Sequence, residues 1–200
     1  MVVLAVSGVI AVAGRPLDLF GGLVVGVVTA LGGGTMRDLV LGIAPVFWVS
    51  NELYLVTAIA GAVVAIPLAR TLVRGSVRRL EESLQLADAA GLSLFAIVGA
   101  TVALDHGFGG MIAVVCGLLT GVGGGMIRDV LAGRTPLILR GEIYATAALA
   151  GATIFVVLAE LTAAGEPVAA ILGGLTTFTL RVVGIRRQWA LPALAADRRD

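Results

Sequence analysis

Residues 26–45 read Gly-Val-Val-Thr-Ala-Leu-Gly-Gly-Gly-Thr-Met-Arg-Asp-Leu-Val-Leu-Gly-Ile-Ala-Pro, and residues 117–136 read Gly-Leu-Leu-Thr-Gly-Val-Gly-Gly-Gly-Met-Ile-Arg-Asp-Val-Leu-Ala-Gly-Arg-Thr-Pro. Glycine, threonine, the glycine triplet, Arg-Asp, glycine and proline coincide at an offset of 91. The likeness continues on both sides. Phe20-Gly-Gly22 answers Phe108-Gly-Gly110. After a one-residue slip, Glu52-Leu-Tyr54 answers Glu142-Ile-Tyr144 and Ala60-Gly-Ala62 answers Ala150-Gly-Ala152. The chain is internally duplicated, and self-similarity of this kind has to be read before any single motif.

Composition places the duplication in a membrane. Apolar residues make up 58% and charged residues 14%, against about 45–50% and about 25% in ordinary soluble domains. A 200-residue soluble chain could not cover its surface with so few polar groups. All 14 basic residues are arginine, which excludes a phosphate-binding lysine loop and a Schiff-base lysine. One cysteine, Cys116, and one histidine, His106, leave no disulfide framework and no His/Cys metal cluster. A net charge of +1 with no basic arm gives no footing for nucleic acid. No enzyme, no cofactor and no metal site is expected.

Charges and turn residues cut the chain into seven apolar segments, near 2–14, 19–42, 51–69, 89–105, 108–132, 141–160 and 166–184. Crossing a hydrocarbon core takes about 20 helical residues. Runs such as Ile59–Ala69 are apolar all round, which suits helices and not the alternating strands of a barrel. The fold class is therefore an all-α polytopic membrane protein. Its parts are a first three-helix repeat (1–70), a cytoplasmic amphipathic connector (71–88), a second repeat (89–161), a seventh helix (162–185) and a cytoplasmic tail (186–200). Three spans per repeat is an odd number, so the copies enter from opposite faces. That is an inverted-topology repeat, an architecture whose pathway lies at the repeat interface. The first segment lacks a positive n-region and resembles residues 95–104, which favours a retained helix over a cleaved signal. Its shortness points to a start upstream of Met1.

Arginines set the orientation. Arg15, Arg70, Arg74, Arg78, Arg79, Arg128, Arg134, Arg140, Arg186, Arg187, Arg198 and Arg199 all fall on one side of seven spans, and Arg37 is the one arginine placed toward the other. The positive-inside rule makes that side cytoplasmic, with the N-terminus outside, the C-terminus inside, and the protein in the inner (plasma) membrane. In the connector, Val73, Val77, Leu80 and Leu84 recur at helical spacing, and Arg78 and Glu82 sit at i,i+4. Trp189 suits an anchor at the headgroups.

The functional candidates cluster in the duplicated motif. Gly32, Gly33, Gly34 and Gly123, Gly124, Gly125 disfavour helix by about 1 kcal/mol each relative to alanine. Two breaks at equivalent depth would free backbone groups that protein or a wet cavity must satisfy. The spacings Gly22/Gly26, Gly117/Gly121 and Gly121/Gly125 also fit close helix packing. Arg37, Asp38, Arg128 and Asp129 follow the triplets. Charges within a span cost about 2.5–3.5 kcal/mol on insertion scales, so they face a wet path or a partner. Adjacent residues on a helix do not face each other, so each arginine should find freed carbonyls or a distant acid. Thr29 and Thr120, a turn earlier, offer hydroxyls to an ion or back to their own helix. Glu52 and Glu142 suit the first turn of a helix. His106 suits a solvated turn, and Cys116 suits packing.

On these residues, the duplicated Gly-Gly-Gly-x-x-Arg-Asp on the second and fifth segments resembles the trimeric intracellular cation (TRIC) channels, in their prokaryotic branch. The resemblance covers essentially the whole chain. It implies a homotrimer with one pore per protomer, passing potassium and other monovalent cations such as sodium, with membrane lipid as a possible ligand. It also implies that the second and fifth spans are kinked at Gly32–Gly34 and Gly123–Gly125 with the pore between them. Two departures are the short first span and the absence of lysine. Relatives of this kind have also been described as glycine-transporter-like, so a secondary transporter for a small zwitterion stands as the alternative, with a non-transporting scaffold behind it.

Overall fold

The computed structural model describes residues 1–75, 77–140, 143–161 and 165–189, with the side chains of 72–80 and 161 left aside. The stripe Val73, Val77 and Leu80, the Arg78–Glu82 spacing, Glu142, and Arg198 and Arg199 of the tail lie outside the described side chains. Among the described residues all regular structure is helical. Its elements are α1 (Val2–Val12), α2 (Leu19–Leu41), α3 (Phe47–Ser50), α4 (Leu53–Gly75), α5 (Val77–Asp105), α6 (Gly110–Leu131), α7 (Ala145–Leu161) and α8 (Glu166–Arg187), with a single 3-10 turn at Leu137–Leu139. Five helices are long and apolar enough to cross a membrane; the apolar helices Val2–Val12 and Ala145–Glu160 are shorter.

Local chemistry sets the ends. Asp18 accepts a hydrogen bond from the Gly21 amide at 2.7 Å and starts α2, while Gly42, at φ 68°, closes it in a left-handed cap. Asn51, not Glu52, caps α4: its Oδ1 accepts from the Leu53 amide at 3.0 Å, and Glu52 precedes the first turn. Glu166 opens α8 and Arg186 and Arg187 close it, each at the end that suits its charge.

α1 is the most enclosed element. It packs on α2, α4 and α5, and every residue from Ser7 to Val12 is buried. In the other half α6 packs on α5 and α7, and α8 closes over α5 and α7. The packing is inside-out relative to a soluble domain. Arg37, Asp38, Asp88, Arg128, Asp129 and Arg181 are buried, whereas Val56, Val63, Val64, Ile171 and Leu175 face outward. Lipid or a neighbouring subunit can cover such aliphatic faces; water cannot do so cheaply.

Two sequence expectations are corrected here. The glycine triplets do not interrupt their helices: α2 runs unbroken through Gly32–Gly34 and α6 through Gly123–Gly125. With no water in the bilayer core, keeping the backbone hydrogen bonds outweighs the intrinsic cost of glycine. Close packing holds for Gly26, where an added Cβ would come within 2.9 Å of Ala62 and Val9, and for Gly121, within 3.2 Å of Leu92. It does not hold for Gly22, which has nothing within 4 Å.

Candidate functional site: the crossing of two glycine-triplet helices

The triplets bring two backbones into direct contact. A side chain at Gly33 would collide with the Thr120 carbonyl of α6, and one at Gly124 would collide with the Thr29 carbonyl of α2. A Cβ on Gly32 would meet Ile127, and one on Gly123 would meet Met36 at 3.1 Å. These contacts come in pairs displaced by 91 residues, so the duplication survives in three dimensions. They also give direction. As the α2 partner rises from 29 to 33, the α6 partner falls from 124 to 120, so the helices cross antiparallel. Arg37 and Arg128, each four residues past the central glycine, therefore lie on opposite sides of the crossing, roughly 6 Å along each axis.

Thr29 and Thr120 flank the crossing, but both hydroxyls turn back onto their own helices, donating to the carbonyls of Val25 and Cys116 at 2.6 Å. Neighbouring glycines permit this. A Cβ at Gly8 would lie 2.7 Å from the Thr29 hydroxyl, and one at Gly99 would overlap that of Thr120.

Each arginine binds its own neighbour, which the helix-face argument did not expect, and Arg128 also binds the distant acid that it did expect. The Arg37 Nε and Nη2 donate to Asp38 Oδ1 at 2.9 and 2.7 Å, and Asp38 Oδ2 accepts from the Phe47 amide at 2.8 Å. Arg128 Nε donates to Asp129 Oδ1 at 2.9 Å, and Asp129 Oδ2 accepts from the Leu137 amide at 3.0 Å. Successive side chains diverge about the helix axis, but a long arginine can curl back to the carboxylate beside it. Each aspartate thereby ties its arginine to the loop that follows, with one carboxylate oxygen for each.

The second half adds more. Arg128 Nη1 donates to Ser7 of α1 and to Asp88 of α5, both at 2.6 Å. The Tyr144 hydroxyl donates to Asp88 Oδ1 at 3.4 Å, and the Arg181 guanidinium of α8 lies 5.0 Å above the Tyr144 ring. The Arg128 end thus gathers two arginines and two aspartates, and the Arg37 end one of each. Arg37 is completed by Phe47, whose ring lies 5.7 Å from the guanidinium and packs on Gly34. Beside Arg128 a cavity of about 130 Å³ is bordered by Glu81, Gln85, Asp129, Arg134 and Arg140.

The structure therefore unites the two triplets and both threonines at one crossing and separates the two Arg-Asp pairs across it. Sequence reasoning missed Ser7, Asp88, Tyr144 and Arg181. Arg181 carried the same signal as Arg37, a charge inside an apolar segment. Asp88, set at the end of the connector, is instead buried against Arg128. Cys116 is packed as expected, and exposed His106 places Nδ1 2.8 Å from the Val102 carbonyl. Among the described residues no group of three His, Cys, Asp or Glu could hold a metal.

Helices with buried, compensated charges and aliphatic outer faces define a multi-spanning membrane protein. A family model described as "Glycine transporter" matches residues 1–70 and 85–160. The inner membrane protein YadS of Escherichia coli K12, of the group UPF0126, is 42% identical over 196 residues, covering 98% of this chain and 92% of YadS. The TRIC trimeric intracellular cation channel orthologue from Rhodobacter sphaeroides superposes with a TM-score of 0.86 at 39% identity over 94% of both chains. A trimeric intracellular cation channel from C. elegans shares the fold at a TM-score of 0.66 and 12% identity. The chain belongs to this family, in which the UPF0126 membrane proteins and the prokaryotic TRIC channels fall together, and its relatives of known structure are ion channels, not enzymes.

Proposed function

We propose that the protein is a homotrimeric channel for monovalent cations, potassium among them, with one pore per protomer running between α2 and α6. The observation that carries this reading is the antiparallel backbone crossing at the glycine triplets with an Arg-Asp pair on each side. Seven spans in an inverted three-plus-three arrangement put this crossing near the midplane, N-terminus outside and C-terminus cytoplasmic. In the closed crossing the carbonyls of Thr29 and Thr120 abut glycines of the facing helix. Bending at Gly32–Gly34 and Gly123–Gly125 would part the helices and turn carbonyl oxygens toward the path, the kind of oxygen that replaces a cation's hydration shell. Arg37 and Arg128 do not stand as bare positive charges in that path, because Asp38 and Asp129 neutralise them in place. The pairs gate through Asp38 and Asp129, which hold the loops at the Phe47 and Leu137 amides, and a cation meets a neutral pair.

Single-channel recording from purified trimers in a planar bilayer with potassium chloride tests the proposal. Discrete unitary currents reversing near the potassium equilibrium potential are expected. The alternative, a secondary transporter for glycine, is favoured by the description of the matching family model. Saturable, ion-coupled uptake of glycine into vesicles without unitary currents would establish it and end the channel reading.

A further inference from the structure

A second cavity lies away from the crossing. A groove of about 660 Å³ opens where the end of α1, the start of α2 and the far part of α4 meet. Val9, Val12 and Ile66 form its apolar wall, and Arg15 and Arg70 stand at its rim. Among the described residues no carboxylate is bonded to either arginine. Asp18 also borders the groove, but its Oδ1 already accepts the Gly21 amide.

Gly22 supplies an independent observation. It sits inside α2, where glycine weakens a helix relative to alanine, and no neighbour comes within 4 Å of the place a Cβ would take. Its counterpart Gly110 is needed for packing, since a Cβ there would lie 2.6 Å from Glu160 and 2.8 Å from Val156. Packing therefore explains Gly110 and not Gly22. Gly22 borders the groove, and a larger side chain there would narrow it.

We infer that this groove binds an anionic glycerophospholipid, its phosphate between Arg15 and Arg70 and one acyl chain along Val9, Val12 and Ile66 over Gly22. The two ends match the two chemistries of such a molecule. Guanidinium forks suit phosphate oxygens, and the apolar wall suits a hydrocarbon chain. A free phosphate would use only the rim. The groove is separate from the crossing, and the site stands whether or not the trimer conducts.

Native mass spectrometry of trimers from vesicles of phosphatidylcholine and phosphatidylglycerol provides the test. Wild-type trimers are expected to retain phosphatidylglycerol preferentially. The Arg15→Gln/Arg70→Gln variant should lose that preference by roughly thirtyfold, in keeping with two basic residues at an anionic surface. Gly22→Leu, which keeps both charges and obstructs the acyl-chain path, should lose retention as well. Equal retention of the two lipids by the wild type overturns the inference. Retention unchanged in Gly22→Leu overturns the groove in favour of bare surface charge. Displacement of the bound lipid by millimolar inorganic phosphate assigns the arginines to a free anion and overturns it too. Circular dichroism and trimer mass establish that each variant is folded before its lipid is counted.

Discussion

Arg128 and Arg37 carry the same letters in the duplicated motif and differ in their surroundings. Removing the Arg128 charge strands two buried carboxylates, Asp88 and Asp129; removing that of Arg37 strands only Asp38. Breaking a buried ion pair from one side costs about 3–5 kcal/mol, most of it from the charge left behind. Arg128→Gln should therefore lower the thermal midpoint of the trimer in detergent well below that of Arg37→Gln. Adding Asp88→Asn to Arg128→Gln should restore part of the loss. Equal midpoints for the two single variants would remove Asp88 from the account. The sequence shows that these charges are buried and duplicated, but their partners are harder to read. Ser7, Asp88 and Arg128 are brought together across three helices, and local periodicity carries no information on such a meeting. The bond from each arginine to its own neighbour was set aside by a rule about helix faces, which describes short side chains better than it describes arginine.

At the scale of the helix, the triplets are legible as a special place and misleading as to what happens there. Propensity measured in water points to a break; a bilayer withholds the water that would make a break tolerable. What the glycines supply is proximity. Because the atoms facing Gly33 and Gly124 are backbone carbonyls, which cannot rotate aside, even a methyl group should force α2 and α6 apart. Gly33→Ala and Gly124→Ala should each cost about 1–3 kcal/mol, as overpacking does, and should change unitary conductance. Gly22→Ala should be neutral or slightly stabilising. Thermal melting and bilayer recording on the three variants decide the matter, and wild-type melting in Gly33→Ala would refute the contact.

For the whole molecule, the apolar runs made the helical class readable from sequence, the duplication marked α2 and α6 as twins, and the family resemblance implied that they meet. The role of α8 was not readable, since it has no counterpart in the repeat. The orientation proposed from arginine placement has a direct check. After Cys116→Ala, single cysteines at exposed His106 and Thr71 should react with a membrane-impermeant maleimide from opposite sides, His106 from outside. Labelling of both from the same side would refute an odd number of spans between them.

The place of α8 also bears on how the two halves have diverged. Gly151 lies against Thr177 and Gly173 of α8, whereas its counterpart Gly61 lies against Val2 of α1. Twin positions now answer to different neighbours. Drift at 151 is tied to compensating change at 173 and 177, and drift at 61 is tied to change at 2. Among descendants of the duplicated ancestor, the seventh helix should share its mutational history with the second copy and leave the first copy free to wander on its own.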